Sequence, residues 1–446
     1  MHESRQLAEF VADTTYEDLP ADLADRMKTY VLDTLAAGFV GCKLPWSQIV
    51  HDVERDNGCT GPCSVFGSET PMSPAAAAYV NGTMLGAFES EHSAHTAHAG
   101  GTVVPAALAA GEAAGVSGRE LILACIMGYE VVCRVGDAQT RLVEDERGFH
   151  NPAANGPFSS AAAVGKVLGL DADKQLNAFG VAGSFSGGLT EFAWKGEMTK
   201  RLHIGLASRG GLEAAYLAQR GFTGPGTVLE GPFGYLNAFS PTPKPELLVA
   251  GLGNTWQSWD MKIKPFAAHG TVQALIAGLQ KFKADNAISA DDVTGVHVKA
   301  SVARMLQKRF LDPRPRTLLQ AQLSMPYVVA VTLSRDLSDP LQFDESTLSD
   351  VAIQKLAAAV TWEEIELDEP EHAFIEITSG ATTYEVFAGD YRGSATRPAQ
   401  WDDVVDKFYR FSQRAIDADR QGQIIATVDK LDTLADIGEL TSLIVA

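Results

Sequence analysis

The sequence predicts a mainly α protein: a large all-helical domain with a smaller α+β lid domain inserted late in the chain. Three features predict it. Up to about residue 259, apolar residues recur at three- and four-residue spacing over long stretches, the period of packed helices. Beyond that point, short alternating segments rich in β-branched and aromatic residues lie between turn residues. From about residue 400 the helical period returns, and a chain of 446 residues is long enough for two domains. The boundaries drawn from these changes are 1–261 with 396–446 for the helical domain and 262–395 for the lid.

The first long helix is expected in ADLADRMKTYVLDTLAAGFV, residues 21–40. Further helices are expected in PAAAAYVNGTMLGAF, VVPAALAAGEAAG, RELILACIMGYEVVCRVG, SSAAAVGKVLGL, KQLNAFGVAGSFSGG and ASRGGLEAAYLAQRG. Their alanines and glycines let helix axes approach closely, as in a buried bundle. In the lid, DDVTGVHVKA reads as a strand, and AFIEITSG with ATTYEVFAG reads as a hairpin turning at Ser379 and Gly380. TLLQAQLSMPYVVAVTLSRDL and STLSDVAIQKLAAAV read as helices between them. The tail, WDDVVDKFYRFSQRAI and a last helix near 423–435, is expected to pack back on the first domain.

Bulk charge narrows the function. A formal net charge of -20 disfavours nucleic acid and anionic membranes as partners, because both reward clustered Lys and Arg. An anionic substrate must then meet a local cationic pocket. Five cysteines do not form a disulfide framework, and CTGPC, lacking a second ligand pair, reads as a loop; a reducing cytoplasm fits. The N-terminus has no signal-peptide pattern, and no apolar run is long enough to span a bilayer. The glycines of GSFSGG lie in a helical context, so no nucleotide fingerprint is read there, and no cofactor is expected.

Five segments carry candidate chemistry. FESEHSAHTAHAGG gathers Glu89, Glu91, His92, Ser93, His95 and His98. It reads as a solvated polar loop, as acid/base residues, or as a metal site of His at three-residue intervals with a Glu. GEMTKRLHIGLASR carries Lys200, Arg201, His203 and Arg209, either an anion pocket or an exposed basic turn. KIKPFAAHG places Lys264 and His269 near the domain boundary. RGFHNPAANGPF places His150 just ahead of a helix, and Tyr327 in LSMPYVVA reads by default as a core aromatic.

Taken together, these segments resemble the MmgE/PrpD family. The run MTKRLHIGLASRGGLEAAYLAQRGFTGPGTVLEGPFGYLNAFS is similar to its signature, and VLDTLAAGFVG, MGYEVVCRVG, KPFAAHGTVQALI, AQLSMPYVVAVTL and GSATRPAQWDDVVDKF follow in the family's order. The resemblance runs from about residue 25 to 410. It implies a large helical domain with an inserted α+β lid, usually as a homodimer, acting on small polycarboxylic acids without a metal. It also implies site roles for His98, His150, Lys200, Lys264, His269 and Tyr327. Two departures stand out: Ala99 replaces the proline of the family's HPG, and Glu89-Ser90-Glu91-His92-Ser93 replaces an acidic D-x-D-D motif.

The expected reaction is a lyase reaction, dehydration or decarboxylation, on a di- or tricarboxylic acid related to citrate or aconitate. His98 and His150 are the leading acid/base pair, with His269 and Tyr327 as supporting proton carriers. Lys200, Lys264, Glu89, His92, Ser93 and Arg201 are the expected substrate-binding set. The alternatives are an epimerase of a dicarboxylic amino or imino acid, a metal-dependent hydrolase using Glu91, His92, His95 and His98, and a helical binding protein without turnover.

Overall fold

The alanine- and glycine-rich stretches fold into helices packed closely enough that side chains would obstruct them. A computed structural model of the protein describes residues 2–94, 96–286, 288–301 and 305–446. Its first part comprises α1 (Glu3–Asp13), α2 (Ala21–Gly41), α3 (Pro45–Asp56), α4 (Pro74–Leu85), α5 (Ala99–Ala114) and α6 (Gly118–Gln139). It continues with α7 (Asn151–Val167), α8 (Ala172–Ala182) and α9 (Thr199–Gln219). Ser117 caps α6 with a capping box: its backbone N–H donates to Glu120 at 2.7 Å, and its hydroxyl accepts from the Glu120 N–H at 3.4 Å. α9 crosses α4 at Gly205, where a Cβ would fall 2.3 Å from the Tyr79 carbonyl oxygen. That contact brings the N-terminal turn of α9, with Lys200, beside the loop that follows α4.

The second part holds one mixed sheet of β2 (Val293–Ala300), β3 (Val360–Glu364), β4 (Ala373–Ser379) and β5 (Thr382–Ala388), in the order β3-β2-β4-β5. A short strand, β1 (Thr60–Cys63), lies apart from it. β2 pairs with β3 in parallel and with β4 antiparallel, and β4–β5 is the hairpin expected from the sequence, with Gly380 at φ 59°. Val296, Val298, Ala300, Ile375 and Ile377 turn one face inward, alternating with more exposed neighbours. That face is covered by α10 (Gln273–Asp285) and α11 (Met325–Ser334). The chain is thus mainly α with a smaller α+β region.

Three local expectations change. CTGPC is not wholly a loop, because β1 bridges to Met72. VTWEE, at the end of an expected helix, becomes the edge strand β3; only Val360 of it is buried, so it carries no alternation to read. The stretch from Leu318 to Ser334 is two helices, divided at Ser324, whose side chain caps the second.

The tail returns to the helical part. α12 (Trp401–Ser412) packs on α2, with Phe408 and Phe39 edge to face at 5.9 Å, and α13 (Ala418–Asp429) follows. Among the described residues, no helix is long and apolar enough to cross a membrane.

Candidate active site

The loop between α4 and α5 is anchored through alternating residues. Glu89, a non-glycine residue at φ 56°, starts a turn that sends its carboxylate and that of Glu91 toward one cavity. Lys200, from the first turn of α9, donates a hydrogen bond to Glu89 Oε1. Lys264 Nζ lies 3.8 Å from Glu89 and 3.9 Å from Glu91. His98, at the N-terminus of α5, lies with Nδ1 2.7 Å from Glu91 Oε1. Ser93 stitches the loop to the start of the second part by paired backbone bonds with Lys262, at 3.1 and 2.8 Å.

Opposite, His150 precedes the first residue of α7, and its ring centre stands 6.3 Å from that of His98. Its Nδ1 meets Nδ1 of His203 at 3.1 Å, so one of these nitrogens carries a proton and the other accepts it. Phe192 packs edge-on against His150 at 5.0 Å. From the second part, His269 lines the cavity with Nδ1 2.9 Å from the Thr271 hydroxyl and its ring 4.7 Å from Phe310. Arg309 also lines it, held by Glu144 at 3.3 Å and Asp145 at 3.1 Å.

Electrostatics separate these groups. Burial would raise the Glu91 carboxyl, but Lys264 and His98 outweigh it and hold it at about 2. Burial, with Lys264, Arg201 and Arg309, lowers Lys200, while the Glu89 carboxylate that accepts its hydrogen bond favours the charged form. Burial also lowers Lys264, against the pull of Glu91 and Asp33. His150 falls well below 6.5, first through burial and then through His203, His98 and Arg309; His203 falls to about 4 through burial and Lys200. His150 is therefore neutral near pH 7. Glu89 Oε2, Glu91 Oε2 and Lys264 Nζ, all buried, have no hydrogen-bond partner among the described residues. Such groups are rare in interiors and are suited to a polar ligand.

Of the expected residues, His98, His150, His269, Lys200, Lys264 and Ser93 line this one cavity, and Glu89 stands just behind the two lysines. Three others are placed elsewhere. His92 is held between Asp33 Oδ2 at 2.8 Å and the Tyr129 hydroxyl at 2.7 Å; with both nitrogens engaged, it joins His98 neither as a substrate ligand nor as a metal ligand. Arg201 donates to the Ala87 carbonyl at 2.7 Å and lies 3.8 Å over the Trp46 ring, a buried brace that burial pushes down to about 10. Tyr327 is fully buried, and its hydroxyl donates to the Thr347 carbonyl at 2.6 Å, which spends its proton on the core. His95 lies outside the described residues. Among those described, the one trio of His, Cys, Asp or Glu close enough to share an ion is His2, Glu3 and Glu230, which does not line the cavity.

Some pairings were not assigned in the sequence reading. His203 was named there with Lys200, three residues away on one helical turn, but not as the partner of His150. Glu91 was seen only as a member of its cluster, and nothing local marks it as the partner of His98. Arg309 and Phe310 have no motif around them. The assembled cavity offers two ammonium groups for carboxylates, an imidazole oriented by a carboxylate, a neutral imidazole across from it, and an apolar wall of Phe192, Phe310 and Leu323. That set can bind a polyanion, stabilise developing negative charge and move a proton.

Comparison with known proteins gives the family. The model of the MmgE/PrpD N-terminal domain matches residues 5–248, and that of the MmgE/PrpD C-terminal domain matches residues 266–433. The chain is 30% identical to the cis-aconitate decarboxylase-like protein oryM of Aspergillus oryzae, over 98% of this chain and 96% of that protein. It is 29% identical to cis-aconitate decarboxylase of Aspergillus terreus, over 98% and 95%, and 28% identical to that of Homo sapiens, over 94% and 89%.

Proposed function

The chain belongs to the MmgE/PrpD family and is an enzyme of lyase type; from that premise we propose that it removes carbon dioxide from a small unsaturated tricarboxylate of the cis-aconitate kind. The observation that carries the reading is the buried Lys264 ammonium without a hydrogen bond, beside Lys200 and facing the cavity that holds His98. The names of the relatives favour decarboxylation over dehydration.

In this reading Lys200 and Lys264 hold the retained carboxylates. The departing carboxylate, on a carbon next to the double bond, faces Phe192, Phe310 and Leu323, where little solvates it. Its C–C bond breaks, carbon dioxide leaves, and the electron pair moves into the double bond. The charge settles on the carbon beside a retained carboxylate, where a lysine stabilises the dienolate. His98, oriented through Nδ1 by Glu91, delivers a proton from Nε2 to that carbon. Neutral His150 supplies a hydrogen bond across the cavity. The chemistry is acid/base throughout, and the 262–395 segment acts as a lid that excludes water. We further propose a cytoplasmic homodimer, on the family resemblance and the five free cysteines.

Proton NMR in deuterated water, with cis-aconitate, citrate, methylcitrate and aspartate-derived acids, tests this. The expected result is carbon dioxide loss from cis-aconitate with one deuterium retained in the product. A new alkene signal from a hydroxy acid without carbon dioxide would make the enzyme a dehydratase, and exchange without net conversion an epimerase.

A further inference from the structure

Behind the cavity lies a second cluster of buried charged and polar groups that the reaction does not use. Lys407, on α12, is 1% exposed, and Asp33, on α2, is wholly buried. Lys407 Nζ donates to Asp33 Oδ1 at 2.6 Å and to the Ser90 carbonyl at 2.7 Å. The other oxygen of Asp33 meets His92 Nδ1, and His92 Nε2 meets the Tyr129 hydroxyl. His92 also underlies the first turn of α5: a Cβ on Gly100 would fall 2.7 Å from its Cε1.

These contacts alternate along four residues. Glu89 and Glu91 point forward to Lys200, Lys264 and His98, while the Ser90 carbonyl and the His92 ring point back to Lys407 and Asp33. The turn between them includes Glu89 in the left-handed region, a conformation that persists only where its surroundings hold it. Ser90 Oγ makes no hydrogen bond among the described residues, so the carbonyl is that residue's polar anchor through its own atoms beyond the backbone N–H.

We propose that Lys407 is a positioning residue of the active site, holding the Ser90 carbonyl so that Glu91 stays aligned beneath His98. It touches no substrate and acts through Glu91. This inference rests on the acid/base reading above. A site held to within a fraction of an ångström needs such support, and here the support comes from an element far away in sequence.

A double-mutant cycle with Glu91→Gln tests it. Lys407→Met, which cannot donate to Ser90, is expected to lower kcat at least tenfold with KM changed less than threefold, because Lys200 and Lys264 remain. In the Glu91→Gln background the same change is expected to lower kcat less than twofold. Lys407→Gln, which keeps a donor, is expected to recover kcat to within fivefold of the unaltered enzyme. Multiplicative effects in the cycle, an unchanged kcat in Lys407→Met, or a loss confined to KM would each overturn the proposal. If Lys407→Met does not fold, Lys407→Arg carries the same cycle, its larger head displacing Ser90, with a fivefold loss expected only when Glu91 is present. The cycle is read on whichever conversion the NMR assay detects. Absence of decarboxylation in the unaltered enzyme therefore counts against the functional reading alone, and additivity in an active enzyme against this one.

Discussion

The two charged layers on either side of the 89–92 loop use the same kinds of residue in opposite ways. In the rear layer, Asp33, His92, Tyr129 and Lys407 are joined by short hydrogen bonds. In the front layer, Glu89, Glu91 and Lys264 keep buried oxygens or an ammonium without hydrogen bonds. The charged groups of both layers are buried, so burial alone does not distinguish a candidate site from a structural cluster. Completeness of pairing does: the rear layer is finished by the chain itself, and the front layer keeps unpaired groups that a ligand completes in the proposed function.

The strongest challenge to that contrast is His98→Gln. It should lower turnover by about two to four orders of magnitude while leaving the melting curve nearly unchanged. Carbon dioxide release at saturating substrate measures it, and retained turnover would move the proton transfer to His150 or His269. The mirror experiment is Asp33→Ala in the rear layer, which strands the Lys407 ammonium. Denaturant unfolding should show a loss of about 3 to 5 kcal/mol. A loss below about 1 kcal/mol would mean the rear layer is not the satisfied one.

Lys200→Ala should cost about 1.5 to 3 kcal/mol in kcat/KM, the worth of a charge-assisted bond, with folding intact. Normal kinetics in the folded variant would remove Lys200 from the site. The smallest effect concerns pH. His150 and His203 have folded pKa values below that of free imidazole, the second at about 4. Between about pH 6.5 and 4 the unfolded chain therefore binds more protons than the folded one, so stability falls as pH falls through that window and is level above it. The share of His203 is on the order of 2 kcal/mol, allowing for residual hydration of its ring. Unfolding series at pH 7 to 4.5 should show this slope, and His203→Gln should flatten it; an unchanged slope would place the lost stability elsewhere.

Much of the fold was legible because its signals are local. The 3.6-residue period of α2 and α6 and the glycine turn of the β4–β5 hairpin need no knowledge of distant chain. β3 was missed because an edge strand exposed on most of its length has no alternation. At the site, motif order grouped His98, His150, Lys200 and Lys264, and these four line one cavity. His92 and Arg201, grouped with them in sequence, turn to Asp33 and Tyr129 and to the Ala87 carbonyl, because chain neighbours point in opposite directions and a list of residue types does not encode direction. Tyr327 shows the same limit: the default core reading described its surroundings better than the family role did.

Lys407 and Asp33 are separated by 374 positions along the chain, and their bond crosses from the C-terminal helices to α2. A growing polypeptide emerges at about 5 to 20 residues per second, so α2 waits for tens of seconds before α12 exists. Throughout that time the loop bearing Glu89 and Glu91 lacks its rear anchor, however well the early helices have collapsed. Catalytic competence should therefore arise only once α12 has been made, and a nascent chain halted before α12 would have a helical core without a working centre.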